Sequence, residues 1–173
     1  EKRKMTNIYY IDFKSENPVL KPLLINQEAS FEIIEIQAGK FIAITDYKGK
    51  NGYVVEIDPE DTYKLRKIIP EFDDAEVIGV ISQKNKLFVQ YKSGFYNYLV
   101  AYDYSGEMLV KLELPPFSSV GKISKGDSDD ELIYSYTTYT IPHVVHCINT
   151  KTYENKPLDK TVVNFDYTTI EYK

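Results

Sequence analysis

The stretch VIGVISQKNKLFVQYKSGFYNYLVAYDYSGEMLVKLEL, residues 77–114, decides the fold. It holds four apolar runs, Val77–Ile81, Leu87–Tyr91, Tyr98–Tyr102 and Met108–Leu114, separated by short segments rich in Lys, Asn, Ser and Gly. Branched and ring side chains dominate the runs, and such side chains suit a pleated, half-buried surface. The polar segments between them suit chain reversal. The reading is four antiparallel strands. Leu87-Phe88-Val89 is apolar on both faces, as befits a sheet stacked between others rather than one with a wet side.

Working outward, the same unit recurs. The Tyr98–Tyr102 run ends at Asp103, and its counterparts Ile8–Ile11, Tyr53–Ile57 and Val144–Ile148 end at Asp12, Asp58 and Asn149, at intervals of 46, 45 and 46 residues. Ahead of them, Phe41–Ile44 and Leu132–Tyr136 match Leu87–Tyr91, and Phe31–Ile36 matches Val77–Ile81. Tyr63–Ile69 matches Met108–Leu114. Alone, Asp61–Ile69 passes for an amphipathic helix. Its counterpart ends at Leu114-Pro115 as this one ends at Ile69-Pro70, so the repeat overrules the helix.

Four antiparallel strands recurring at this interval mark a β-propeller blade, whose repeats run to about 40–50 residues. A β-sandwich is the alternative, but sandwiches seldom space their strands so evenly. The fold class is therefore all-β, with about three four-stranded blades plus part of another. The blades fall at 25–70, 71–115 and 116–160, after the end of an earlier blade at 6–24 and before a connecting segment at 161–173. An incomplete set of blades leaves open faces and edges. Further chain or a second copy is expected to complete the ring, and the start inside a blade favours further chain.

Bulk composition excludes several functions. A net charge of -5 argues against a surface built to neutralise phosphates, so no nucleic-acid partner is expected. Sixteen Tyr and eight Phe agree with a strand-rich chain. The one cysteine, Cys147, leaves no internal disulfide and no thiolate-rich metal site, which fits a reducing, cytoplasmic compartment. No run approaches the length of a membrane span, and Glu1–Met5 lacks the apolar core of a signal peptide, so no membrane partner is expected.

With the blades in register, residues 75–173 resemble the end of the propeller in the prolyl oligopeptidase family of serine peptidases. The likeness is carried by Ala101-Tyr-Asp-Tyr-Ser-Gly-Glu107 followed by Leu112-Glu-Leu-Pro115, then by the acidic loop and Tyr-rich strand Gly126–Tyr136. Next come the Ser/Thr-rich bend Thr137–Pro142 and the strand with its exit turn, Val144–Lys151. Phe165–Tyr172 resembles the family's final strand before its hydrolase domain. Residues 1–74 agree mainly in repeat phase. The chain departs from the commonest pattern at Cys147-Ile148-Asn149, where an acidic residue often precedes the turn.

The resemblance implies part of a seven-bladed propeller whose partners are the remaining blades, an α/β-hydrolase domain of the same polypeptide, and short peptides cut after proline. Its role would be to cover the active site and restrict substrate size. A related peptidase cutting after basic residues and a non-catalytic interaction module are the competing readings, because fold does not fix function. The hydrolase's Gly-x-Ser-x-Gly turn occurs nowhere in these 173 residues, and no serine, histidine and carboxylate are grouped as a triad. Catalytic, cofactor-binding and metal-binding residues are all expected to be none in this chain.

Four features compete with that reading. His143 and His146, an odd number apart on an extended chain, should point to opposite faces and form no metal pair. The cluster Asp127, Asp129, Asp130 and Glu131 lacks calcium-loop spacing and reads as a solvated hairpin loop. Tyr134, Tyr136 and Tyr139 are candidates for lining a peptide channel, though rings in strands more often pack. Cys147, in an apolar strand, reads as a small buried hydrophobe.

Overall fold

The computed structural model describes residues 5–159, which fall into two compact units divided between Asp73 and Asp74. The connecting segment expected at 161–173, with Phe165–Tyr172, lies outside the described residues. Among the described residues, regular structure is all strand.

In the first unit, β1 (Thr6–Ile11) and β2 (Leu20–Gln27) form an antiparallel pair, with β2 running past residue 24. Strands β3 (Phe31–Gln37), β4 (Lys40–Thr45), β5 (Tyr53–Asp58) and β6 (Asp61–Ile69) form a four-stranded antiparallel sheet in chain order. The two sheets share a core. Leu23 and Leu24 of β2 join Phe41, Ala43, Val55 and Ile57, and the Tyr10 ring meets Phe41 edge-on at 5.2 Å. The inward positions of β1, Ile8 and Tyr10, alternate with exposed Tyr9 and Ile11, the two-residue period of a strand.

The second unit contains a four-stranded antiparallel sheet, β7 (Glu76–Gln83), β8 (Lys86–Ser93), β9 (Tyr96–Tyr102) and β10 (Met108–Glu113). A second sheet joins β13 (Glu131–Thr137), β14 (Val144–Asn149) and β15 (Asn155–Asp159) to two fragments, β11 (Ser119–Val120) and β12 (Ser124–Lys125). Phe88, Leu99 and Ala101 of the first sheet pack on Leu132, Tyr134, Val144 and Ile148 of the second. Leu87, Val89 and Tyr91 on the other face of β8 are fully buried too, as its two-faced apolar sequence predicts.

The recurring Asp or Asn at the end of each third strand has a local cause. In each turn its side-chain oxygen accepts hydrogen bonds from backbone N–H groups just ahead: Asp12 from Lys14 at 2.9 Å, Asp58 from Glu60 at 2.9 Å, Asp103 from Ser105 at 2.8 Å. Asn149 accepts from Lys151 and Thr152, both at 2.9 Å. This is the Asx-turn. An amide oxygen serves as well as a carboxylate, so the departure at Asn149 leaves the turn unchanged.

A second recurring feature was not read from the sequence. The first strands of both four-stranded sheets bulge, at Ile34 and at Ile78. In the last sheet the equivalent bulge opens into a break, with Gly121–Ile123 standing between β11 and β12 opposite two residues of β13. Gly121 N–H bonds to the Ser135 carbonyl at 2.8 Å, and a Cβ there would come within 2.9 Å of Ser135 Oγ.

The β6 segment is a strand, as the repeat requires, and its polar face forms an ion-pair ladder. Glu56 on β5 accepts from Arg66 of β6 at 2.8 and 3.0 Å and from Lys40 of β4 at 3.1 Å. The Arg66 hydrogen bonds, with help from Lys40, pull its carboxyl from 4.5 down to about 2, against the opposing effect of burial. Because the folded value lies below the unfolded one, this contribution is complete above about pH 4.5 and is lost as pH falls towards 2. Lys40 and Arg66 are 42% and 51% exposed, so solvent screening limits it to about 1 kcal/mol. Glu56→Gln is therefore expected to lose about 1 kcal/mol less than the parent between about pH 6 and about pH 2.5, read from denaturant midpoints. Equal acid losses in the two proteins would discard the assignment.

Candidate functional site

One end of the second unit carries a groove of about 570 Å3 between three loops. The β8–β9 turn supplies Gly94 and Phe95, the loop after β10 supplies Phe117 and Ser118, and the loop after β13 supplies Thr138 and Tyr139. The hairpin turn needs Gly94 in the left-handed region at φ 58°. Phe117 takes a similar φ of 54°, rare for a ring side chain, and its N–H is bonded to the Phe95 carbonyl at 3.2 Å. Asn97, buried beneath, donates to the Ser118 carbonyl at 3.0 Å.

These bonds hold an aromatic wall open to solvent. The Phe95 and Tyr96 rings lie 6.2 and 5.6 Å from Phe117, Phe95 is 75% exposed, and Tyr139 across the groove is 94% exposed. Among the described residues Lys92 is the one charged side chain lining the groove. Lys92, Phe95 and Phe117 were missed in the sequence. The signal available was Ser93-Gly94-Phe95, a hairpin turn carrying an apolar ring where polar residues are usual.

The other anticipated residues are dispersed. Tyr134 and Tyr136 are buried in the core between the sheets, 1% and 9% exposed, and only Tyr139 of the three faces the groove. His146 on β14 lies against both rings, with Nδ1 3.0 Å from Asn155 Oδ1. His143 precedes β14, so strand alternation does not govern it. No group of three or more His, Cys, Asp or Glu side chains among the described residues is placed to hold a metal ion. Cys147 is half-buried rather than buried, because it sits opposite half-buried Ile133, out of phase with the core positions Leu132, Tyr134 and Ile148. Burial, then Glu131, pushes its thiol up, which disfavours the thiolate.

The acidic loop lies at the opposite end of the same sheets and is more than a solvated tip. Asp130 pairs with Lys151 at 2.6 Å and lies 3.8 Å from Lys84. The Lys151 hydrogen bond holds its carboxyl below the usual range. Gln83, on β7, donates to the carbonyls of Asp129, Glu131 and Ser128 at 2.7, 3.0 and 3.3 Å. Lys86 Nζ donates to the Thr150 carbonyl and the Tyr153 hydroxyl, both at 2.9 Å. Every cation here is engaged by the protein itself. The cluster fastens two sheets together.

Four-stranded antiparallel sheets repeating at a constant interval, with a core between neighbouring sheets in each unit, are β-propeller blades. The model for the prolyl oligopeptidase N-terminal β-propeller domain matches residues 1–161, and the chain belongs to that family. Among solved structures, a prolyl endopeptidase studied for inter-domain dynamics in catalysis and specificity superimposes with a TM-score of 0.80 at 18% identity. That match covers 93% of this chain and 24% of the other. Prolyl oligopeptidase B from Galerina marginata without ligand gives 0.79 at 16% identity, covering 97% of this chain and 25% of that one. The same enzyme bound to a 35-residue hydrolysis and macrocyclization substrate gives 0.80 at 16% identity, covering 96% and 25%. No curated protein matches the chain. At these identities the likeness is one of fold, and the chain spans about a quarter of the length of the solved chains it matches.

Proposed function

We propose that these blades are part of a propeller that covers the catalytic domain of a serine oligopeptidase and restricts it to short peptides, cut after proline. The family match over residues 1–161 carries this reading. It is supported by the described residues, whose regular structure is all strand, arranged in antiparallel sheets. The blades would act by exclusion: a substrate too large to pass them does not reach the nucleophile. The remaining blades and the α/β-hydrolase domain would belong to the same polypeptide. The single cysteine, which allows no disulfide within these residues, supports a cytoplasmic location.

The test uses the natural polypeptide that contains these blades. It is expected to hydrolyse a short proline-containing peptide, to be blocked by a serine-directed inhibitor, and to leave the same sequence uncut within a folded protein or a long chain. Cleavage of long and short substrates at similar kcat/KM would remove the gating role. An inhibitor-insensitive or inactive polypeptide would turn the reading to an interaction module.

A further inference from the structure

The aromatic groove of the second unit is open to solvent. Its walls are Phe95, Phe117 and Tyr139, its floor carries the hydrogen-bonding side chains of Asn97 and Ser118, and Lys92 stands at its margin. Phe95 and Tyr139 are 75% and 94% exposed, where ring side chains usually find cover. Its volume of about 570 Å3 lies within the range of grooves that hold small ligands.

Charge narrows the occupant. Among the described residues of the lining Lys92 has no carboxylate beside it, in a chain whose net charge is -5. Its cross-strand neighbour on β7 is Glu76, yet the two form no ion pair. At the other end of the same sheets Lys84 and Lys151 are matched by aspartates. An apolar trough with one unmatched cation at its edge suits an extended peptide end: an apolar or aromatic side chain lies against the rings, and a carboxylate meets the ammonium.

We propose that this groove is a peptide-binding site on the propeller that takes the C-terminal end of an oligopeptide, its last apolar side chain against Phe95, Phe117 and Tyr139 and its terminal carboxylate at Lys92. The inference rests on the oligopeptidase reading only in expecting such peptides to be present. Binding at the groove needs no turnover.

The experiment titrates N-acetylated Ala-Leu-Ala-Phe, as the free acid and as the C-terminal amide, into the natural polypeptide with any active-site serine blocked by a covalent inhibitor, followed by calorimetry. The acid is expected to bind about five-fold tighter than the amide, the size of an exposed ion pair. Lys92→Gln should erase that preference, and Tyr139→Ala should weaken both ligands. Both positions are exposed, so neither variant is expected to disturb folding, and unchanged thermal melting verifies this. Equal binding of acid and amide, or a preference that survives Lys92→Gln, overturns the proposal. Absence of binding, with backbone amides at 93–95 and 117–119 already protected from hydrogen exchange, overturns it in favour of a contact within the polypeptide. An enzyme inactive before blocking that still prefers the acid sinks the peptidase reading and leaves the groove standing. An active enzyme indifferent to the carboxylate does the reverse.

Discussion

Replacing Phe88 by alanine is expected to lower the stability of the second unit by about 3–5 kcal/mol, the range for truncating a buried aromatic ring. Phe88 is 1% exposed on the central strand β8, between Ile81 of β7 and Ala101 of β9 in register, and it reaches the core shared with Leu132, Tyr134 and Ile148 of the neighbouring sheet. Ala101 is too small to fill the space by a rotamer change, and the pairing of β8 on both edges keeps its backbone from moving inward. Most of the ring's volume should therefore remain as a cavity. The measurement is a denaturant midpoint at unchanged slope. Phe95→Ala, on the exposed end of the same hairpin, should change stability by under about 0.5 kcal/mol. If both variants lose a similar small amount, the sheets of this unit do not share the core described.

The contrast between these two phenylalanines also explains what the sequence could show. Burial follows the two-residue alternation and the repeat, so the strand containing Phe88 was legible, as was Asp61–Ile69, where the counterpart at Met108–Leu114 decided between helix and strand. The end-of-strand Asp and Asn positions were legible as a pattern, though their turn hydrogen bonds emerged only in the structure. Phe95 belongs to a turn, where neither period applies, and its role depends on Phe117 and Tyr139, 22 and 44 residues further along the chain. Nothing local to Ser93-Gly94-Phe95 says what will face it. Gln83 was hidden for the same reason: it looks like one polar residue in a turn region until the loop at 126–131 folds over it. The sequence of the acidic loop suggests a solvated tip because it shows the charges and not Lys84 and Lys151, which meet them from elsewhere in the chain. His143 lies one residue before β14 begins, a boundary that composition does not fix.

The second large effect is expected at Gln83. The residue is 6% exposed and its amide gives its hydrogens to carbonyls of Ser128, Asp129 and Glu131, so one side chain from β7 organises the loop that leads into β13 of the next sheet. The backbone bonds around it depend on that loop geometry, among them Gly126 N–H to the Glu131 carbonyl at 2.9 Å and Thr150 N–H to the Asp130 carbonyl at 2.8 Å. Gln83→Leu keeps the size and removes the donors, and should destabilise by about 1–3 kcal/mol, the penalty for leaving acceptors unmatched. Gln83→Glu should be worse near neutral pH, because it replaces the donors with a carboxylate facing carbonyl oxygens. That extra loss should shrink as the pH falls and the acid, once protonated, regains one donor. Lys84→Ala serves as the comparison, since its partner Asp129 is 88% exposed and the pair should contribute under about 1 kcal/mol. Hydrogen exchange at the amides of Gly126, Glu131 and Thr150 separates the explanations. If the Gln83 amide orders the loop, these sites lose protection in both Gln83 variants and keep it in Lys84→Ala. If the ion pairs order the loop, Lys84→Ala loosens it and Gln83→Leu does not.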